Sequence, residues 1–147
     1  MHISGTFQVA ASAEFVARSL REIDILRAAI PGCTGIEAGT GPGTFNFTAE
    51  VGIAGLQGEH AGVITVTPTG ESTLAVTLAG AGASRIEATA TLSLAEDGAK
   101  TTVSYEATLS ARGAVARLGG KQIEGAAGLL VRQALRALKR EIEARVS

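Results

Sequence analysis

The sequence is poor in the residues that support several common kinds of protein chemistry. It holds a single cysteine among 147 residues, which excludes an internal disulfide and a zinc site built on several cysteines. The formal net charge of −1 gives no sign of the basic face that nucleic-acid-binding proteins usually carry. No run of about 18 apolar residues and no basic-then-apolar N-terminal segment are found, so neither a membrane-spanning helix nor a secretory signal is predicted.

Aromatic residues are also scarce, and small residues stand in their place. Aromatic residues make up 3% of the chain and hydrophobic residues 46%, while glycine occupies 19 positions. Protein interiors normally pack at a density near ~0.75, so a core of small residues needs an explanation. Either backbone segments approach one another closely, or interior space remains for a second molecule. The length predicts one domain over residues 1–147.

The first part of the chain predicts one strand, two short helices and a tight turn. Residues 2–9 alternate between polar and apolar, which is typical of a half-buried strand. Ser12 is a suitable N-cap for the first helix, and the helical pattern breaks near residues 22–25. Proline lacks an N–H and glycine permits positive φ, so Pro31-Gly32 fits the centre of a type II turn that ends the second helix.

The middle of the chain predicts an antiparallel meander. Apolar and polar residues alternate over residues 44–53, 74–78, 86–94 and 103–111, and "AEDGAK" reads as a hairpin turn. The segment 57–67 leaves two alternatives open. One of them points His60, Gly62, Ile64 and Val66 inward; the other points Ala61, Val63 and Thr65 inward.

The end of the chain predicts one long amphipathic helix over residues 122–146, about 37 Å long at ~1.5 Å per residue. Its apolar stripe steps by three or four residues and comprises Ile123, Ala127, Leu130, Ala134, Leu138 and Ile142. Strands that are segregated from helices indicate the α+β class. The glycines near the start of this helix, in "RLGGKQIEGAAG", either allow close packing on the sheet or keep a channel open.

The cysteine and the histidines give weak chemical signals. Cys33 follows the Pro31-Gly32 turn, at the start of a predicted strand. We favour the interpretation that Cys33 is a small buried residue over the interpretation that it is a nucleophile, because a nucleophilic thiol needs a nearby base. His2 and His60 have no neighbouring acidic pair, so no metal site is predicted. His60 either faces solvent or points inward, where it would hydrogen-bond a ligand.

The carboxylates give no sign of a catalytic site. Glu50, Glu87 and Glu106 all fall on the polar side of their strands, whereas acid–base catalysis needs carboxylates inside a cleft. Tyr105 falls on the apolar side of its strand. It is either a core residue with a hydrogen-bonded hydroxyl or the one polar contact of a pocket. No catalytic residue and no cofactor is predicted. Inward positions carry almost no titratable group, which favours a site for an apolar guest.

The order of elements and several segments resemble a known family. The segments are "SGTFQVAASAEFVARSL", "LRAAIPGCTGIE", "AEVGIAGLQGEHAGVITV", "ATLSLAEDGAKTTVSYEATLSARG" and "AVARLGGKQIEGAAGLL". They resemble the G-subunit family of carbon monoxide dehydrogenase, within the START-like helix-grip superfamily, over nearly the whole chain. The resemblance implies a helix-grip fold. In it a curved antiparallel sheet of six to seven strands wraps around the long C-terminal helix, and two short helices follow the first strand.

The resemblance also implies a function and partners. Such proteins are accessory to molybdenum hydroxylases of the carbon monoxide dehydrogenase type, and they hold the enzyme at the inner face of the cytoplasmic membrane. We expect a cytoplasmic, non-catalytic protein that binds a lipophilic molecule, such as a quinone, in an apolar cavity. The partners are then that molecule, the hydroxylase and the inner membrane face, and no nucleic acid.

The expected cavity lies between sheet and long helix, with its mouth near the Pro31-Gly32 turn. The predicted ligand-binding residues are Ile30, Phe45, Phe47, Val51, His60, Leu78, Tyr105, Gly119, Ile123, Ala127 and Leu130. Two alternatives stay open. One is an interaction protein with a filled core that uses basic residues of the last helix, and the other is a cyclase- or hydrolase-like enzyme of the same superfamily.

Overall fold

One antiparallel sheet forms the body of the protein. The computed structural model describes residues 1–52, 58–82, 85–117 and 119–146. Within these ranges the sheet has seven strands in the order β1-β7-β6-β5-β4-β3-β2. The strands are β1 (His2–Val9), β2 (Cys33–Ala38), β3 (Thr44–Val51), β4 (Gly58–Pro68), β5 (Thr73–Gly80), β6 (Arg85–Asp97) and β7 (Lys100–Arg112).

The helices lie where the sequence predicts them, with small shifts. They are α1 (Ala13–Ser19), α2 (Ile23–Ala29) and α3 (Gly120–Arg145), and a short 3₁₀ helix (Gly113–Arg117) connects β7 with α3. The break between α1 and α2 falls at residues 20–22, slightly before the predicted 22–25. The predicted α+β class, with a curved sheet, two short helices after the first strand and a long C-terminal helix, is confirmed.

Local hydrogen bonds explain where α1 begins and where α2 ends. The Ser12 hydroxyl accepts from the Phe15 N–H at 3.1 Å, which is the predicted N-cap. At the other end the Cys33 N–H donates to the Ile30 carbonyl at 3.1 Å, and Gly32 has φ of 70°. These features are those of the predicted type II turn. A Cβ at position 32 would collide with the Glu50 carbonyl oxygen, so glycine is needed there for space as well as for φ.

The strand register resolves the two alternatives for residues 57–67. His60 pairs with Ala49 and Gly62 pairs with Phe47, and directly opposed residues share a face of an antiparallel sheet. Gly62, Ile64 and Val66 are buried, while Val63 is 36% exposed. The inner face of β4 therefore carries His60, Gly62, Ile64 and Val66. Residue 57, the first of this segment, lies outside the described residues, as do residues 53–56 before it.

The buried side chains form separate clusters. One cluster fills the end of the sheet beneath α1 and the last turns of α3, and it includes Val9, Val66, Leu74, Val103 and Ile142. A second lies beneath α2 and contains Leu26, Phe45, Phe47, Ala49 and Ile64. A third is small and centres on Ala126 of α3. The core is thus best packed at one end of the sheet.

The C-terminal half of α3 is fastened to the edge strand β1. The Lys139 ammonium donates to the Gln8 carbonyl at 2.8 Å, and the Ala10 N–H donates to a Glu143 carboxylate oxygen at 2.8 Å. These bonds satisfy backbone groups at the end of an edge strand, which would otherwise be open to pairing. α3 also packs against α2. Among the described residues, no helix is both long enough and apolar enough to cross a membrane.

Candidate ligand-binding cleft

A cleft of about 390 Å³ opens between the first half of α3 and the adjoining ends of β6 and β7. Its volume falls within the ~300–1,000 Å³ range of small-molecule sites. It is lined by Met1, Ile86, Leu109, Ser110, Ala111, Ala116, Ile123, Glu124 and Ala127. Most of these side chains are apolar, and three are alanines.

Two elements position the walls of the cleft. Ile86 and Ala111 are paired across β6 and β7, so both project from the inner face of the sheet. Ile123 and Ala127 are four residues apart on α3 and therefore lie on one side of the helix. The start of β1 closes a further side, where the Leu109 N–H donates to the Met1 carbonyl at 2.8 Å. Small side chains at 111, 116 and 127 leave the space open.

The polar groups of the cleft are few. Glu124 contributes a carboxylate and is exposed, which places it at the rim, whereas Ser110 pairs with Glu87 across β6 and β7 and therefore lies on the outer face of the sheet. The Met1 ammonium donates to the Leu109 carbonyl at 3.0 Å. A few polar groups around an apolar cavity can orient a ligand, whereas the apolar walls supply the binding free energy.

Two of the predicted ligand-binding residues, Ile123 and Ala127, line this cleft. Val51 and Leu130 pack against Ala126, in the same small cluster as Ile86 and Ala111 of the cleft wall. They therefore lie beside the cleft. Gly119 is the exposed N-cap of α3 and does not line it.

The other predicted residues lie elsewhere on the inner face. Phe45 and Phe47 are buried beneath α2, with Ile30 and Leu78 packed against them. His60 and Tyr105 are half-buried on β4 and β7, three strands apart, and the strand pairing places Tyr105 level with Pro68, eight residues along β4 from His60. The Pro31-Gly32 turn does not line the cleft.

Sequence reasoning missed several lining residues. They are Met1, Ile86, Leu109, Ser110, Ala111, Ala116 and Glu124. Ile86, Leu109 and Ala111 carry a usable signal, since they fall on the apolar side of their strands. Ser110 and Glu124 carry none, because both follow the polar pattern of an ordinary exposed residue.

Two glycines of α3, Gly125 and Gly128, show no sign of close packing on the sheet. Gly125 is exposed, and a Cβ there would meet no atom within 4 Å. A Cβ at Gly128 would approach only the Arg132 side chain, at 3.3 Å. Neither residue marks close packing on the sheet. The space beside α3 comes instead from the alanines that face the strands.

In the part of the chain that the structure describes, the candidate titratable groups lie apart from one another. Glu50 and Glu106 are exposed on the outer face. Glu87 also lies there, where a hydrogen bond from Arg85 at 2.9 Å and the charge of Arg112 hold its pKa below the usual range. The Cys33 thiol lies 3.4 Å from the Gly35 carbonyl in a weak hydrogen bond. Within the described ranges no three His, Cys, Asp or Glu residues are grouped to hold a metal.

A second, more polar groove of about 290 Å³ lies on the outer face of β1, β5, β6 and β7. It is lined by His2, Ala75, Val76, Thr77, Thr89, Ala90, Thr91, Glu106 and Thr108. The threonines are solvent-facing residues of a half-exposed sheet. This groove therefore lies on the opposite side of the sheet from the cleft.

A seven-stranded antiparallel sheet that packs against a long C-terminal helix beside an apolar cleft defines the helix-grip fold. Similar solved structures share this fold. A conserved protein from Geobacillus kaustophilus is 23% identical, with a TM-score of 0.86 over 97% of this chain and 95% of that one. A START superfamily protein from Mycobacterium smegmatis is 18% identical, with a TM-score of 0.75 over 97% of each chain.

The Zhui aromatase/cyclase of a Streptomyces species is also 18% identical, with a TM-score of 0.73 over 100% of this chain and 96% of that one. A comparison with curated proteins finds no match. The family model of the carbon monoxide dehydrogenase G subunit (CoxG) matches residues 5–143. The chain belongs to this CoxG family, as the sequence predicted. Membership supports, at the level of the family, an accessory ligand-binding role and an association with carbon monoxide dehydrogenase.

Proposed function

We propose that the protein binds a lipophilic molecule such as a quinone in the cleft between α3 and the sheet, without transforming it. The observation that carries this proposal is an apolar cleft of about 390 Å³ between sheet and helix. Its walls bury apolar surface of the ligand, and each buried methylene contributes about 0.8 kcal/mol. Glu124 at the rim meets the polar end of the ligand.

The distribution of ionisable groups supports a binding role over catalysis. An acid–base enzyme needs titratable groups within reach of the same reacting atoms. His60 and Tyr105 lie three strands apart, and Glu50 and Glu106 are exposed on the other face. We therefore propose that the protein is an accessory of a molybdenum hydroxylase that carries the ligand and presents it to the enzyme.

Ligand extraction and a blocking variant test the binding proposal. Lipids extracted from the purified protein are identified by mass spectrometry, and quinones are then titrated with the melting temperature as the readout. Ala127→Phe places a ring in the cleft and is expected to reduce quinone binding at least tenfold. Ala144→Phe, on the exposed side of the same helix, is the matched control. If no lipid or quinone co-purifies or raises the melting temperature of the parent protein, the proposal is wrong.

We further propose that α3 brings the cleft to the cytoplasmic face of the membrane. Its outward side carries Arg132, Arg136, Lys139 and Arg140, all exposed. No ion pair is found for Arg132 or Arg136 among the described residues. Basic residues near an anionic lipid surface contribute about 1 kcal/mol each.

Co-sedimentation with vesicles tests this second step. Arg136→Glu is expected to weaken binding to vesicles that contain phosphatidylglycerol, and the difference should shrink as salt is raised. Lys100→Glu is the control, because Lys100 is an exposed cation of the β6–β7 hairpin. Equal binding of both variants and the parent would contradict membrane contact through α3. A salt-sensitive complex with the hydroxylase, also weakened by Arg136→Glu, would favour an acidic protein partner instead.

A further inference from the structure

Beyond the cleft, the inner face of the sheet is only partly buried along β6 and β7. Five inner-face positions of β6 and β7 lead away from the cleft and are half-buried, and they are Ala88, Ala90, Leu92, Tyr105 and Ala107. The next pair along, Leu94 and Val103, is 6% and 0% exposed. The well-packed end of the core therefore begins immediately beyond Tyr105.

Tyr105 stands at this boundary in an unusual position. It pairs across β7 and β1 with Gly5, and a Cβ on Gly5 would lie 2.5 Å from the tyrosine Oη and 2.9 Å from Cζ. The ring thus occupies the space that a side chain at position 5 would fill. It also lies 6.4 Å from the Phe7 ring, at an angle of 54° between the ring planes. Glycine at position 5 allows the ring to lie against β1.

We propose that Tyr105, seated on Gly5, is the floor of the ligand cavity and sets the length of apolar chain that the protein accepts. This inference rests on the proposed function. The floor at Tyr105 and Leu109 of the cleft are four residue steps apart along β7, or about 13 Å at ~3.3 Å per residue. An extended chain of single bonds advances ~1.2 Å per bond, so about eleven bonds span this distance. Between this floor and the cleft, the small side chains of Ala88, Ala90 and Ala107 leave room for the apolar chain of the ligand, and we call this space the passage.

A series of straight-chain 1-alkanols measures the accessible length. Each alkanol competes with the neutral fluorescent probe N-phenyl-1-naphthylamine for the full-length protein. Affinity is expected to rise about fourfold per added methylene while the chain stays in the cavity, and to level off at a limiting length. That limiting length is the quantity compared between variants.

Three variants move the floor in stated directions. Gly5→Ala pushes the Tyr105 ring away from β1 into the passage, so the limiting length shortens by two or more carbons. Tyr105→Ala removes the ring, so the limiting length increases. In the double variant the Gly5→Ala effect disappears, because there is no ring to displace. Circular dichroism and thermal melting check the fold, and Ala107→Leu, which narrows the passage without touching the floor, is expected to shorten the limit independently.

The outcomes separate this inference from the proposed function. If neither probe nor alkanol binds the parent protein, the proposed function fails and the inference fails with it. If alkanols bind but Gly5→Ala, Tyr105→Ala and Ala107→Leu keep the parent's limiting length, the inference alone is overturned. Opposite shifts for Gly5→Ala and Tyr105→Ala, together with loss of the Gly5→Ala effect in the double variant, support it.

Discussion

Thr101 illustrates what a single polar residue does inside an apolar core. It is fully buried on the inner side of β7, opposite Val9, and its hydroxyl donates to the Ala11 carbonyl at 2.7 Å. The bond joins the start of β7 to the segment that leads into α1. A buried hydroxyl without such a partner would be costly, so this contact fixes the local geometry.

Thr101→Val removes this bond while nearly keeping the shape of the side chain. Because the Ala11 carbonyl then loses a buried donor, we expect a loss of about 1–3 kcal/mol in the free energy of unfolding. Urea denaturation measures it. Thr89→Val, on the exposed outer side of β6, is the control and should stay within about 0.5 kcal/mol of the parent. Equal stability of the two variants would show that the Thr101 bond contributes nothing.

At the scale of residues, the sequence predicts the role of a side chain when its partner is close along the chain. Ser12 and the Pro31-Gly32 turn could be predicted because each acts on backbone groups within three residues. The roles of Thr101 and Gly5 could not, because their partners are 90 and 100 residues away along the chain. A threonine at the start of a strand and a glycine within one look ordinary until the strands are paired.

At the level of elements, α3 shows which features of a helix can be predicted from the spacing of its apolar residues. The spacing of its apolar residues predicted a helix over 122–146, and the structure has it over Gly120–Arg145. The same pattern says nothing of the polar contacts to β1, because Lys139 and Glu143 read as exposed helix residues. Their partners, Gln8 and Ala10, lie at the other end of the chain.

Glu143→Ala tests how α3 holds the edge strand. The variant removes the acceptor for the Ala10 N–H, and we expect a loss of about 0.5–1 kcal/mol, at the low end because the bond is exposed. Hydrogen exchange of the Ala10 amide should accelerate in parallel. Glu143→Gln keeps an oxygen acceptor and should retain most of the protection. Unchanged exchange in Glu143→Ala would mean that other contacts hold the strand end.

At the level of the whole molecule, the predicted fold class and family are confirmed, and the predicted ligand-binding residues stay a prediction. The strands and the C-terminal helix each follow a regular spacing of apolar residues, and this spacing can be read from the sequence without a structure. The position of the cleft depends on which strand ends lie next to the start of α3, and this arrangement cannot be read from the spacing of apolar residues. Of the predicted ligand-binding residues, Ile123 and Ala127 line the cleft. Phe45 and Phe47 were predicted as ligand-binding residues, and they lie in a separate cluster beneath α2, because apolar residues on one face of a sheet can pack in separate groups.

The central claim is that an apolar ligand occupies the space between α3 and the inner face of the sheet. Isotope-filtered nuclear Overhauser measurements on the complex with a saturated-chain 1,4-naphthoquinone test it most directly, using protein labelled at the methyl groups of Ala, Ile, Leu and Thr. We predict contacts from the ligand to the methyls of Leu109, Ile123 and Ala127. Contacts confined to Ala75, Thr77 and Thr89 of the outer groove would contradict the account.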